Sequence, residues 1–464
     1  MGIDTLNKPH RIILHKATLT EKTHSMTISL QIKTEQYRSA FHYLVICAYL
    51  AISIFGLRNY FIWDATSICG LLLLPLISRF NPAHLSLRFL PMAFLSGGLA
   101  LYFPVKTCFF LAAMFALLFF LETTRGKINN TAILSLLVIS PVFRILANTF
   151  GFPLRLWLSD LAAKIISVSG FNARAEGNII IMNNDTFAVD QACAGLSMLG
   201  ITYIICFFLV SLWENRSNKR TGIVEIAILL TLCSLFNLFG NLMRILILVL
   251  FKIMPDSIYH DLIGIVCLLV YIIIPIALLT KWIIKQNGKD ASYSPKGYGD
   301  KHVPGFIHIL LFLIVLYVST HLSTMDKLNK TSPVVQLQGY NRKIMENNIL
   351  KFENNKALIY YKPSTFYTPD HDPRICWQGS GYEFHYIKKT AILNCEVYTG
   401  VLSKGKDRIY SAWWFDSGKT RTINQLEWRW KALKQDEDFY LVNVNAQTKD
   451  DLQDLIKELL RQRR

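Results

Sequence analysis

Asp190-Gln191-Ala192-Cys193-Ala194-Gly195-Leu196 opens an apolar run that continues to Trp213. The run is long enough for a bilayer-spanning helix, which needs about 20 mostly apolar residues. Reading it as a span decides the fold, because the same pattern recurs on both sides of it. The next run, from Ile223 to Phe251, carries Arg244, and the one after it begins beside His260. An arginine at mid-membrane costs at least ~2.5 kcal/mol, and less near the interface, where it can snorkel. A thiol, a guanidinium and an imidazole on three successive spans make a catalytic constellation if they stand at one depth.

Composition supports the membrane reading. The chain has 464 residues, 52% of them hydrophobic, with mean hydropathy +0.31, and the apolar residues come in long blocks. That excludes an ordinary soluble enzyme. The net charge of +17 belongs to basic residues that flank the blocks and set orientation. They are scattered through loops and form no nucleic-acid motif, so no nucleic-acid partner is expected. Of the nine cysteines, Cys47, Cys69, Cys108, Cys206, Cys233 and Cys267 lie within apolar runs and read as small hydrophobes. No CxxC pair and no His/Cys cluster has metal-ligand spacing, so neither a metal nor a cofactor is expected. Cys193, Cys376 and Cys395 stand apart from that group.

Residues 1–40 are polar and basic. Their apolar residues are too dispersed for a cleavable signal peptide, and Met26 offers an alternative start. They read as a cytoplasmic tail. Residues 41–322 read as an all-α multipass membrane domain of about nine spans. The spans are Phe41 to Phe55, Tyr60 to Ile77, Leu85 to Phe103, Val105 to Leu121, Thr131 to Phe150, Gln191 to Trp213, Ile223 to Phe251, Tyr259 to Ile284, and Phe306 to Leu322. Pro104 alone separates the third from the fourth, which predicts a tight hairpin. Phe152 to Ser169 carries Arg155, Asp160 and Lys164 at helical spacing and predicts an interfacial or re-entrant helix. Asn178 to Val189 alternates weakly around Asn183-Asn184-Asp185 and predicts a small hairpin just ahead of Cys193.

Lys33 and Arg38, Arg79 and Arg88, Arg125 and Lys127, Arg216 to Arg220, and the lysines from Lys281 to Lys301 fall in alternate loops. The positive-inside rule places those loops in the cytoplasm and everything after Leu322 outside. Cys193 then begins its span at the outer end. Arg244 lies 22 residues beyond Gly222, roughly 33 Å of helix, which also reaches the outer interface. His260 follows a short outer connection. All three meet at one depth, although none of them entered the topology assignment.

Residues 326–464 are charged and aromatic-rich, without a span. Leu358 to Tyr361, Ile392 to Tyr398, Ile409 to Phe415 and Phe439 to Val444 read as strands. Thr448 is placed to cap a last helix, with Asp450 and Asp451 in its first turn. The expected fold is the membrane domain followed by a small extracytoplasmic α+β domain, in an inner (plasma) membrane protein with a cytoplasmic N-terminus. A whole span separates that domain from the three motifs, so it is expected to stand apart from the reactive thiol.

Each candidate residue also has an ordinary reading. Cys193 near a helix start has its thiolate favoured by exposed N–H groups, yet most free cysteines are structural. Arg244 serves an oxyanion or carboxylate, or it snorkels. His260 is a base, or a solvated residue at a helix entrance beside Asp261 and Asp256. Cys376 and Cys395, in an oxidising compartment, are either a disulfide or free thiols.

Ala192-Cys193-Ala194-Gly195-Leu196, Asn241-Leu242-Met243-Arg244-Ile245 and His260-Asp261-Leu262-Ile263-Gly264 resemble, in order and spacing, the signature motifs of the exosortase/archaeosortase family. The resemblance covers about residues 131–284. Ala194 departs from the Ser or Asn of many members; the nucleophile remains, and a hydrogen-bonding neighbour is lost. Asp372 to Tyr382 and Tyr410-Ser411-Ala412-Trp413-Trp414-Phe415 are similar to the exosortase-associated domain of exopolysaccharide systems. The combination resembles the exosortase N type with a fused C-terminal domain.

The resemblance implies a cysteine peptidase/transpeptidase with Cys193, Arg244 and His260 as catalytic residues and Gly195 and Asn241 in support. Its partners would be exported proteins ending in a short motif, a transmembrane helix and a basic tail, the PEP-CTERM-like signal, together with an envelope lipid or glycan acceptor. Cys193 would form a thioester at the outer face. The alternative is a transporter or scaffold protein for exopolysaccharide assembly and export. A transporter needs polar groups near midplane on broken helices, whereas these three residues cluster at one interface.

Overall fold

A computed structural model describes residues 40–461 apart from 59, 62, 83–84, 184, 190–195, 254–256, 291–303, 329–336, 346–347, 365–372, 374–376, 378–381 and 435–436. The tail before Ala40, Cys193, Gly195, Asp256 and Cys376 therefore lie outside the described residues.

The apolar part is helical. In chain order it comprises α1 (Ala40–Gly56), α2 (Ala65–Ile77), α3 (Leu90–Tyr102), α4 (Lys106–Thr124), α5 (Asn130–Ile139), α6 (Pro141–Val168), α7 (Leu196–Ser217), α8 (Ile223–Leu250), α9 (Ile258–Cys267), α10 (Ile274–Asn287) and α11 (Gly305–Leu328). Among the described residues, five helices are long and apolar enough to cross a membrane: α4, α7, α8, the continuous rod of α9 and α10, and α11. Helices α1, α2, α3 and α5 are apolar but shorter. Helices α3 and α4 flank Pro104 closely, as its position predicts.

Two departures from the sequence pattern fall at prolines. Thr131 to Phe150 predicts one span, but the helix ends at Ser140, whose backbone is extended at φ −69°, ψ 152°. Pro141 is the cause. Its ring disfavours helical geometry in the residue before it and suits the first position of the next helix. Helix α6 then runs on through Pro153 to Val168, so the predicted interfacial helix is its second half. Further along, α9 and α10 are joined by a π-helical turn, Leu268–Ile273. Pro275 has no N–H for the regular ladder, and the wider turn accommodates that loss.

The chain divides into two compact units. One holds the described parts of Met1–Arg58, Pro82–Lys127 and Tyr298–Leu322, and therefore α1, α3, α4 and the larger part of α11. Within it the fully buried Glu122 is held by Arg88 through Nε at 3.1 Å and Nη2 at 2.6 Å. Removing one partner of such a buried pair typically costs about 3–5 kcal/mol, because the other charge is left stranded.

The other unit holds Asn59–Asn81, Ile128–Gly297 and Ser323–Arg464. Small residues bring its helices close. A Cβ at Gly200 would lie 2.8 Å from Thr66, and one at Gly70 would lie 2.4 Å from Ile139, which packs α2 against α7 and α5. At the end of α7, the buried Glu214 accepts from the Thr221 backbone at 2.8 Å and sits 3.8 Å from Arg79 and 3.7 Å from Arg220. The predicted hairpin ahead of Cys193 is a three-stranded antiparallel meander: β1 (Ala173–Glu176), β2 (Ile179–Met182) and β3 (Asp185–Ala188). Its Ile180, Met182 and Phe187 pack with Leu158 of α6 and Ile245 of α8.

The C-terminal part of this unit is α+β. Its strands are β4 (Asn341–Ile344), β5 (Leu350–Glu353), β6 (Ala357–Ser364), β7 (Glu383–Ile392), β8 (Cys395–Lys404), β9 (Asp407–Asp416), β10 (Arg421–Thr422) and β11 (Phe439–Ala446). They form one eight-stranded sheet in the order β7-β8-β9-β11-β6-β5-β4, with β10 beside β9. Helices α12 (Gln425–Leu433) and α13 (Lys449–Arg461) complete it. Thr448 caps α13, accepting from the Asp451 backbone at 3.1 Å. The sequence pattern places a strand across Ile392 to Tyr398, but the chain reverses there. Leu393 and Asn394 take φ of 48° and 62°, and Ile392 pairs with Cys395. A two-residue turn with both φ positive matches the twist of a hairpin, and a leucine in it gives no turn signal.

The sheet's core contains Trp414, Trp428, Phe352 and Val444, and it also contains Phe152 from α6. Burying a phenylalanine contributes about 1.5–3 kcal/mol. The C-terminal domain is thus packed against α6, which its distance along the chain does not predict.

Candidate active site

Beyond Ser234, helix α8 is apolar except for a stripe at Asn237, Asn241 and Arg244. Spacings of four and three residues put them on one face. All three are buried, with Asn241 at 2% and Arg244 at 3% exposure. Asn241 Nδ2 donates to the Asn237 carbonyl at 2.7 Å. Arg244 stands in the last two turns of α8, and His260 is the third residue of α9. The connection between the helices is short, so both residues stand at the same end of the helix pair. Ser257 caps α9, accepting from the Tyr259 backbone at 3.3 Å, and the His260 N–H meets the Ser257 carbonyl at 2.9 Å.

The two side chains meet. Arg244 Nη2 lies 3.4 Å from His260 Nδ1, and His260 is 5% exposed. A guanidinium only donates, so Nδ1 is the accepting nitrogen and a neutral ring carries its proton on Nε2. Asp261 does not share the burial; it is 85% exposed, with Oδ1 3.7 Å from Nδ1. Among the described residues, neither Arg244 Nε nor Asn241 Oδ1 has a hydrogen-bond partner. A buried cation with spare donor capacity beside an imidazole is suited to stabilising a developing oxyanion while a proton moves close by.

Gly264 makes this approach possible. It lies four residues after His260, on the same face of α9. A Cβ there would lie 2.9 Å from Arg244 Cζ and 3.1 Å from its Nε and Nη2. The sequence pattern includes Gly264 in its motif without a role. The spacing from His260 was the available signal, but the group that fills the space comes from another helix. The meander is tied to the same region, because Lys252, between α8 and α9, pairs with Asp185 of β3 at 2.7 Å.

The structure therefore brings together Arg244 and His260 of the residues singled out in the sequence, with Asn241 one turn before Arg244 on the same face of α8. Cys193 and Gly195 lie outside the described residues, between Val189 and the start of α7. Cys395 is a free thiol in the C-terminal sheet, buried and donating toward the Glu396 carbonyl at 3.7 Å.

Comparison with known families matches residues 32–277 to the transmembrane exosortase model, Exosortase_EpsH. No curated protein and no solved structure matches the chain. The matched stretch holds the thiol motif, the arginine motif and the histidine motif, including the two helices that press Arg244 against His260. Since that stretch is more than half of the chain, the protein belongs to the transmembrane exosortase family.

Proposed function

We propose that this protein is a membrane-embedded cysteine transpeptidase that cleaves C-terminal sorting signals from exported proteins and transfers them to an envelope acceptor. Family membership supports a transmembrane sorting transpeptidase in general. The finer reading rests on the buried Arg244–His260 pair within the matched stretch. In this reading nine apolar segments span the inner membrane, and residues 326–464 form an extracytoplasmic domain. The motif end of α7, α8 and α9 then faces the outer leaflet.

The chemistry follows from the side chains. Cys193 loses its thiol proton to His260, at Nδ1 as Arg244 turns from it toward the substrate, and attacks the scissile carbonyl carbon. The carbonyl electrons move to oxygen, and Arg244 holds that oxyanion. Collapse re-forms the carbonyl, breaks the C–N bond and expels the amine, which takes the proton back from His260. The thioester that remains is attacked by an acceptor hydroxyl or amine, whose proton passes to His260 and then to the departing Cys193 thiolate. Asn241 and Gly195 support the arrangement, the first as a buried polar neighbour of Arg244 and the second by allowing close backbone approach.

The test is an immunoblot of a tagged substrate with the three-part tail, expressed with each variant at normal enzyme abundance. Cys193→Ala is expected to abolish processing, and Cys193→Ser to come close, because a hydroxyl is far harder to ionise than a thiol. Arg244→Lys keeps the charge but loses the planar fork, at an expected cost of about 10²–10³ in rate. His260→Ala is expected to cost about 10²–10⁴. Hydroxylamine should release substrate from a wild-type thioester and find none in Cys193→Ala. Processing by Cys193→Ala at the wild-type rate would exclude this reading in favour of a transporter or scaffold.

A further inference from the structure

The C-terminal sheet ends at an edge strand, β7, and that edge is interrupted. Its register with β8 shifts between His385 and Lys388, and Tyr386 in the gap takes a left-handed φ of 53°. A bulge of this kind takes backbone groups out of the ladder. Ile387 is 1% exposed, so its N–H needs a partner within the protein. The partner is Asn178, in the turn between β1 and β2, whose Oδ1 accepts from Ile387 N at 3.1 Å. Asn178 is itself 4% exposed. Its neighbour Gly177 has φ +67°, and a Cβ there would lie 1.9 Å from the Ile387 carbonyl oxygen. No other residue fits so close an approach of two backbones.

A second seat lies on α6. Phe152 meets the Tyr398 ring edge to face, with centroids 5.2 Å apart. The docking thus combines an apolar plug with a hydrogen bond to a bulge that the sheet cannot satisfy by itself.

Asn178 also bonds in the other direction. Its carbonyl accepts from Val189 N at 2.8 Å. Val189 is buried in the cluster that includes Ile245 and Leu248 of α8, and Cys193 follows four residues later. One residue therefore links the edge of the C-terminal sheet to Val189, the residue that follows β3.

We propose that Asn178 is a positioning residue through which the C-terminal domain holds Val189, four residues before Cys193. The proposal rests on Cys193 being the nucleophile. It makes the fused domain part of how the enzyme is set up for reaction, in addition to any part in choosing substrates.

The test uses the full chain with two substitutions of similar size. Asn178→Leu removes the acceptor, and Asn178→Asp keeps an oxygen in the same place. The measurements are kcat and KM for substrate processing, and the maleimide alkylation rate of Cys193 across pH, with the Cys193→Ala trace subtracted. Burial pushes the Cys395 thiol up, which keeps it slow to react at neutral pH. Asn178→Leu should lower kcat about tenfold with KM unchanged and shift the alkylation profile, because small misplacement of a reacting group is costly. Asn178→Asp should restore both. A milder variant, Phe152→Leu, loosens the second seat and should give the same kcat-only loss if Asn178→Leu fails to accumulate.

An unchanged kcat and alkylation profile in Asn178→Leu would overturn the proposal. So would a rise in KM alone, or a loss that tracks only abundance and thermal stability. Alkylation needs no substrate, so it reports on Asn178 even if Cys193→Ala shows the sorting reading to be wrong.

Discussion

At the scale of single residues, the site depends on one close approach. Arg244 reaches His260 across the face of Gly264, and a methyl group at that position would intrude on the guanidinium at 2.9 Å. The guanidinium carbon cannot be compressed, so Gly264→Ala must move Arg244, α9, or both. The expected result is a loss of about 10²-fold in kcat at normal membrane abundance, the usual consequence of shifting a catalytic group by about 1 Å. Processing at the wild-type rate in Gly264→Ala would mean that the guanidinium is not held where the reaction needs it. Arg244 and His260 were legible as candidates from residue type and from their places on successive apolar runs, and the structure adds their contact. The role of Gly264 was not, because it depends on which neighbour fills the missing side chain's space.

At the scale of elements, local chemistry overrides hydropathy at several points. Ser140 ends α5 because Pro141 follows it, although the apolar run continues. Leu393 and Asn394 reverse the chain inside a run that reads as one strand. A leucine in the left-handed region costs roughly 1–2 kcal/mol that asparagine or glycine largely avoids. The double substitution Leu393→Asn with Asn394→Gly installs the asparagine–glycine pair preferred in such turns. The expected gain is about 1 kcal/mol, read as roughly fivefold slower hydrogen exchange of the β7 and β8 amides near the turn. No slowing there would show that the left-handed leucine is not the strained point of the hairpin.

At the scale of the whole molecule, the proposed topology makes the sharpest claim. Basic residues alternate between loops, so a reporter fused after Asp326 should be active outside the cytoplasm and one at Asn218 inside. The opposite pattern would reverse the face on which the arginine and histidine motifs act. The C-terminal domain belongs to this scale too. Its core includes Phe152, and its edge strand is completed by Asn178, residues more than two hundred positions earlier in the chain than Tyr398 or Ile387.

The sequence by itself determined that the chain is a multipass membrane protein with a polar C-terminal α+β region. Long apolar runs and alternating basic loops follow from the cost of burying charge and backbone in lipid, which is local in the chain. It also determined the family, because three short motifs fall in order on successive apolar runs. Only the tertiary structure decided that Arg244 touches His260, that Gly264 makes room for them, and that the C-terminal sheet is seated on the meander before Cys193. Those facts depend on the rotation of one helix against another and on which strand edge is left unpaired. Neither is carried by hydropathy, since several packings bury the same apolar area and the choice among them falls to contacts such as Asn178 with Ile387 and Arg244 with His260.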